Sequence, residues 1–233
     1  MIAFSAWAKM LRARPALVRT NIFMEIAADR RPLKSRSYAW VHVLAKRLAG
    51  AGVTPNQISL TGIGLAAIAC AVLCCAARGW ALPWAWMLIA AVCVQGRLMC
   101  NLLDGIVAIE GGRKAKGGDI FNEVPDRIED TLFFTGAGLA SGCVELGWAC
   151  AVLAVFTAYL RAFGASLGQG QDFSGPCAKQ QRMAILTAGL VCGAIGVLLD
   201  LRWNVLAAAL WIVVVGTAIT AARRLIRMYR KAP

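Results

Sequence analysis

The sequence predicts an all-α fold, a six-transmembrane helical bundle with an N-terminal interfacial amphipathic helix. Three observations lead there. Of 233 residues 59% are hydrophobic and the mean hydropathy is +0.64, too apolar for a soluble domain of this length. The apolar residues fall into six runs, roughly 57–77, 81–109, 119–142, 146–168, 183–201 and 203–222, each long enough to cross a bilayer as a helix. The runs are continuous and lack the alternation of barrel strands, the other structure that satisfies its backbone in lipid.

Taken in order, residues 1–35 mix Trp7, Leu11, Leu17 and Phe23 with Lys9, Arg12, Arg14 and Arg19. This pattern has no uninterrupted apolar stretch of a signal peptide and reads as a juxtamembrane arm lying in the interface. Residues 36–233 form the membrane domain. The runs at 57–77, 146–168, 183–201 and 203–222 are ordinary apolar spans; those at 81–109 and 119–142 carry charge. Twenty of the 25 Lys and Arg residues lie before Thr54, in the turns at 110–117 and 169–182, or after Ala222, against only Arg78 and Arg202 on the other side. With six spans this places both termini in the cytoplasm. The net charge of +13 is therefore read as topology and as contact with anionic lipid head groups, not as nucleic-acid binding. Nine cysteines, mostly inside the runs and without CxxC spacing, read as small packing side chains. His42, the one histidine, is assigned no role.

Seven of the twelve Asp and Glu residues fall between Asn101 and Asp130. Carboxylates at membrane depth are costly and mark functional sites by default. In the second run Arg97, Asn101, Asp104, Gly105 and Ala108 share one helical stripe, and in the third Asp119, Asn122, Glu123, Asp126, Glu129 and Asp130 share another. A short turn brings the two stripes together. Facing carboxylates repel in a low dielectric, and a divalent cation between them is the ordinary resolution. Oxygen ligands favour Mg²⁺, Mn²⁺ or Ca²⁺, and a pair of such ions is the usual clamp for a diphosphate. Gly105, Ala108, Gly117 and Gly118 leave room for a bulky ligand, and Arg113, Lys114 and Lys116 suit phosphate oxygens. Glu110, Glu129 and Asp130 read equally well as solvated helix-end charges. Pro125 either re-aims Asp126 or kinks the helix for packing.

The spacing resembles the signature of the CDP-alcohol phosphotransferases, integral membrane enzymes that displace CMP from a CDP-linked alcohol. The family carries Asp-x2-Asp-Gly-x2-Ala-Arg-x8-Gly-x3-Asp-x3-Asp. Here the frame reads Asn101, Asp104, Gly105, Ala108, Ile109, Gly118, Asn122 and Asp126, with every spacing kept. Asn101 and Asn122 stand where the family has Asp, and Ile109 where it has Arg. VTPNQIS at Val53 to Ser59 is similar to the family's entry into its first span, and AKQQRM at Ala178 to Met183 to its cytoplasmic basic element. Arg161 falls where the family places an arginine. The resemblance covers roughly residues 36–225.

The resemblance implies Mg²⁺ or Mn²⁺ held by Asn101, Asp104, Asn122 and Asp126, with Asp126 as the base that deprotonates an acceptor hydroxyl. Asp104, Gly105, Ala108 and Gly118 would face the nucleotide diphosphate. Arg161, Lys179 and Arg182 would meet the acceptor or its phosphate, and Asp119, Glu123 and Asp130 could supply auxiliary metal ligands for the charge lost at the two asparagines. The expected partners are a CDP-alcohol lipid donor, CDP-diacylglycerol above all, a small alcohol or phosphorylated alcohol acceptor, membrane lipids and, by analogy, a second copy in a homodimer. The expected location is a bacterial inner membrane. Two other readings stay open: a weakened or inactive relative that binds a nucleotide or lipid, and a small transporter lined by Arg97, Asn101 and Asp104.

Overall fold

The computed structural model describes residues 39–110 and 118–231, apart from the side chains of 109, 110, 118, 119, 121 and 122. The arm at 1–35 and the turn bearing Arg113, Lys114 and Lys116 lie outside the described residues. Those described form α-helices joined by short turns, within one compact unit, Lys34–Pro233.

Helix α1 (Ala39–Gly50) buries Val41 and Ala45, one turn apart, against Leu102, Leu103, Ile106 and Val107. Helix α2 (Pro55–Ala77) starts at a capping box: the Thr54 side chain accepts from the Gln57 amide at 3.3 Å, and the Gln57 side chain accepts from the Thr54 amide at 2.9 Å. The Thr-Pro-Asn element is thus a helix start, with Pro at the first position, where no amide is needed. Helix α3 (Pro83–Glu110) starts the same way, after Leu82 takes a left-handed φ of 61°. Helix α4 (Gly118–Ala140) runs through Pro125, and α5 (Val144–Ser166) follows a turn at Gly142, φ 68°. Helices α6 (Lys179–Leu198) and α7 (Val205–Arg230) close the chain, the latter capped by Asn204, which accepts from the Ala207 amide at 3.0 Å.

Each helix packs on two neighbours, so that α2, α3, α6, α7, α5 and α4 form a closed ring, with α1 against the side of α3. The ring is filled by Leu73, Val94, Phe133, Phe134, Leu186 and Leu210, among others. Val92, Val152, Ile212 and Val215 point outward and are exposed, as lipid-facing residues are. Helices α4 and α5 approach closely: a β-carbon on Gly138 would lie 2.7 Å from the Gly147 Cα and 2.9 Å from its nitrogen. Only glycine permits that crossing.

Five of the helices, α2, α3, α5, α6 and α7, are long and apolar enough to span a membrane. Helix α4, with 23 residues, is long enough, but Glu123, Asp126, Arg127, Glu129 and Asp130 make it too charged to qualify by composition. Several boundaries differ from the expected ones. The sixth run was expected to end at 222, yet α7 continues to Arg230, because charge lowers hydropathy without breaking a helix. Helix α6 begins at Lys179 rather than 183 for the same reason.

Candidate functional site

At one end of the ring, α3 and α4 place their polar stripes face to face. Asp104 is buried on α3 and accepts a hydrogen bond from the Ser59 hydroxyl of α2 at 3.1 Å. It interacts electrostatically with Asp126 on α4. Asn101, one turn earlier than Asp104, is half-buried, and Gly105 and Ala108 follow beside it.

Asp126 is held by three cations. Its Oδ1 pairs with Arg97 Nη2, and its Oδ2 pairs with Lys179 of α6 and lies 3.4 Å from Arg127. Arg97 comes from the middle of α3, is 1% exposed, and also donates through Nε to Glu129. Its third nitrogen, Nη1, is buried without a hydrogen-bond partner among the described residues. Asp126 and Glu129 stand three residues apart on α4 and so share a face. Space for the pair comes from α2: a β-carbon on Gly62 would lie 2.5 Å from Glu129 Oε1 and 3.6 Å from Arg97 Cγ.

A second set lies alongside. Asp130, 1% exposed, pairs with Arg182 of α6 at 3.3 Å, and Arg182 Nη1 donates to the Thr157 hydroxyl at 3.2 Å and to the Cys177 carbonyl at 3.4 Å. Arg224 of α7 is buried as well and donates to the carbonyls of Thr157 at 2.7 Å and Ser174 at 3.2 Å, tying the loop before α6 to α5. Glu123 is shared by Arg161, at 2.5 and 2.6 Å, and Arg127, at 3.0 Å. Arg161 also lies over the Phe173 ring, 5.2 Å from its centre, a cation–π arrangement. Beyond it a cleft of about 20 Å³ is lined by Arg161, Asp172, Arg224, Arg227 and Lys231. Asp172 accepts from the Ser174 amide at 2.8 Å and hydroxyl at 2.5 Å and from Arg227 at 2.7 Å. Burial alone would raise this carboxyl, but those three donors overcome it and hold it below the usual carboxylate range.

Four carboxylates, Glu123, Asp126, Glu129 and Asp130, are therefore paired with five cations, Arg97, Arg127, Arg161, Lys179 and Arg182, among the described residues, while Asp104 accepts from Ser59. Arginine and lysine supply much of the neutralisation that was expected of metal ions. Among the described residues no three His, Cys, Asp or Glu side chains gather as a metal cage; two of the four frame positions are asparagines, which such a set does not include. Glu129 and Asp130, which read equally well as solvated charges, are both buried. Arg161, Lys179 and Arg182, expected to act alike, are separated: Arg161 borders the cleft, Lys179 sits on Asp126, and Arg182 is interior. The side chains of Gly118, Asp119 and Asn122 lie outside those described. Nine cysteines are free, consistent with packing roles.

Sequence reasoning missed three participants. Glu129 was not recognised as the partner of Arg97, Gly62 was not singled out, and Arg224 was not placed in the site. A signal existed for Arg224: Thr217, Thr220, Ala221 and Arg224 fall at helical spacing on the buried face of α7.

No protein-family model matches the chain. Among curated proteins it is 26% identical over 190 residues to the phosphatidylinositol phosphate synthase of Mycobacteroides abscessus, covering 78% of this chain and 80% of that protein. It is 27% identical over 188 residues to the protein of the same name from Mycolicibacterium smegmatis, with the same coverage. Among solved structures, the Mycobacterium tuberculosis phosphatidylinositol phosphate synthase PgsA1 in complex with manganese and citrate superposes with a TM-score of 0.67 at 21% identity, over 81% of this chain and 88% of that one. The same protein with CDP-DAG bound gives 0.65 at 21% identity, over 81% and 93%. The fold is that of these enzymes, and the resemblance read from the motif frame is borne out, since all of these proteins are CDP-alcohol phosphotransferases.

Proposed function

We propose that the chain is a membrane-embedded phosphotransferase that moves a phosphatidyl group from CDP-diacylglycerol to a hydroxyl acceptor, releasing CMP, in phospholipid biosynthesis. One observation carries this reading: Asp104 and Asp126, which the motif frame sets on different helices, are both buried and interact electrostatically, with Lys179 and Arg127 against Asp126. An all-oxygen set of two carboxylates and the amides of Asn101 and Asn122 fits a hard divalent cation, Mg²⁺ or Mn²⁺. When bound, such an ion stabilises the charge developing on the donor diphosphate.

The protein's own groups do the rest. Gly105, Ala108 and Gly118 leave space for the nucleotide. Lys179 and Arg127 turn to the diphosphate oxygens, which frees Asp126 Oδ2 to accept the proton of the acceptor hydroxyl. The hydroxyl oxygen bonds to the phosphorus that carries diacylglycerol, the bond to the CMP oxygen breaks, and the proton stays on Asp126. Arg161 and the basic side chains beyond it, Arg227 and Lys231, suit a phosphorylated alcohol such as inositol phosphate, and the names of the relatives agree with that choice. Helix α4 is the sixth span, the exposed apolar faces of the ring meet lipid or a second copy, and the basic turns lie on the cytoplasmic face of a bacterial inner membrane together with both termini. A homodimer is the expected assembly.

The test is CMP release from CDP-diacylglycerol by the purified protein with Mg²⁺ or Mn²⁺ and a panel of alcohols and phosphorylated alcohols, beside Asp126→Ala. Metal-dependent release that vanishes in the variant supports the transferase. The grip of three cations on Asp126, with asparagine at two metal positions, favours one competing reading, a relative that binds the donor without turning it over. Tight CDP-diacylglycerol binding without CMP release by any acceptor would establish it.

A further inference from the structure

We propose that the Arg97 guanidinium is a resident counter-ion of the acidic pocket, a positioning residue that clamps Asp126 and Glu129 as a metal ion otherwise would, and that the pocket consequently takes a single divalent cation. The inference rests on the phosphotransferase reading and refines it.

The case begins with cost. A long cationic side chain in the middle of an apolar helix is expensive in lipid, and it persists where partners of opposite charge face it. Arg97 is 1% exposed, and its Nε and Nη2 reach across to Glu129 and Asp126 of α4. A guanidinium carries a fixed positive charge and a planar fork of donors, so it can bridge two carboxylates and never loses its proton at any working pH. It meets the need that facing carboxylates create, and meets it permanently.

Two independent features show that the surrounding helices are built around this bridge. Gly62 of α2 leaves space beside the bridge, where a β-carbon would stand 2.5 Å from Glu129 Oε1 and 3.6 Å from Arg97 Cγ and would push the carboxylate end aside. The charges also match. Asn101 and Asn122 replace two carboxylates of the motif frame, which removes the negative charge that one divalent ion would balance. Arg97 lies one helical turn before Asn101, on the same face of α3, so the cation enters beside the position where the charge is missing.

The experiment counts Mn²⁺ bound per chain to the full-length protein in detergent with CDP-diacylglycerol present, and follows thermal unfolding with and without Mn²⁺. The wild type is expected to hold one ion. Arg97→Gln leaves Asp126 and Glu129 facing each other and should unfold roughly 10 °C lower without metal. Mn²⁺ should restore most of that loss while the count rises to two, a rescue that a merely structural arginine would not show. Arg97→Gln with Glu129→Gln should return the count to one. Any wild-type count other than one, or an Arg97→Gln protein that Mn²⁺ does not rescue, overturns the proposal; if that variant does not fold, the wild-type and double-variant counts decide. CMP release by the wild type separates the two readings. Release with two ions bound sinks the resident counter-ion and leaves the transferase, whereas one ion bound without release does the reverse.

Discussion

Replacing Arg182 by Gln tests whether the interior cations hold the bundle together or serve only to meet a ligand. Arg182 is 4% exposed and its partner Asp130 is 1% exposed, so neither charge is screened by water. The substitution removes the 3.3 Å pair with Asp130 and the donations to Thr157 and to the Cys177 carbonyl. It leaves Asp130 as an uncompensated buried carboxylate. Breaking one side of a buried pair costs about 3–5 kcal/mol. For a chain of this size each kcal/mol corresponds to about 2–4 °C in melting temperature, so a drop of roughly 10 °C is expected. Because the cost comes mainly from the stranded charge, Arg182→Gln combined with Asp130→Asn should recover more than half of it. Thermal unfolding of the four proteins of this double-mutant cycle in one detergent provides the assay. An Arg182→Gln protein as stable as the wild type, with a raised KM for a phosphorylated acceptor, would refute the structural role and make Arg182 a ligand contact alone.

Three further outcomes are expected. Asn101→Asp together with Asn122→Asp adds negative charge to a pocket that already has its own cation, and should lower CMP release about tenfold instead of restoring it; a rise would mark the asparagines as decay. Gly138→Ala drives a β-carbon into the backbone of Gly147 at 2.7 Å, which should cost about 1–3 kcal/mol in unfolding measurements because backbone cannot step aside as a side chain can. The Asp172 carboxyl titrates below its unfolded value, so the stability it contributes is complete above that value and is lost as pH falls through the lower, folded one. Asp172→Asn should flatten the acid side of the melting-temperature profile below about pH 4, and an unchanged profile would remove this contact from the account.

Much of this architecture was legible in the sequence, for definable reasons. Apolar runs of span length locate the helices because lipid imposes length directly, and the stripes on α3 and α4 are local patterns that spacing reveals. Asp104 and Asp126 both lie buried on those stripes. Pairing between helices was not legible. Nothing near Arg97 in the chain says that its partners lie 29 and 32 residues later, and the inward turn of Glu129 and Asp130 depends on where α5 and α6 settle. The two ends of helices misplaced by hydropathy, at Lys179 and beyond Ala222, are charged segments that remain helical because their cations point into the site or into water. Arg182 and Arg224 lie in those segments, so the same charges that hid the helix ends also hid part of the site.

Helix α4 bears consequences for how the protein is made. It emerges from the ribosome carrying acids that no lipid would accept, and the cation that neutralises Asp130 lies 52 residues further along the chain. Arg97, already synthesised on α3, and Arg127 on α4 itself are the first neutralising partners available. Burial of α4 is therefore expected to become easier once α5 and α6 supply Arg161, Lys179 and Arg182. A variant lacking Arg97 is expected to accumulate in the membrane less well than the wild type.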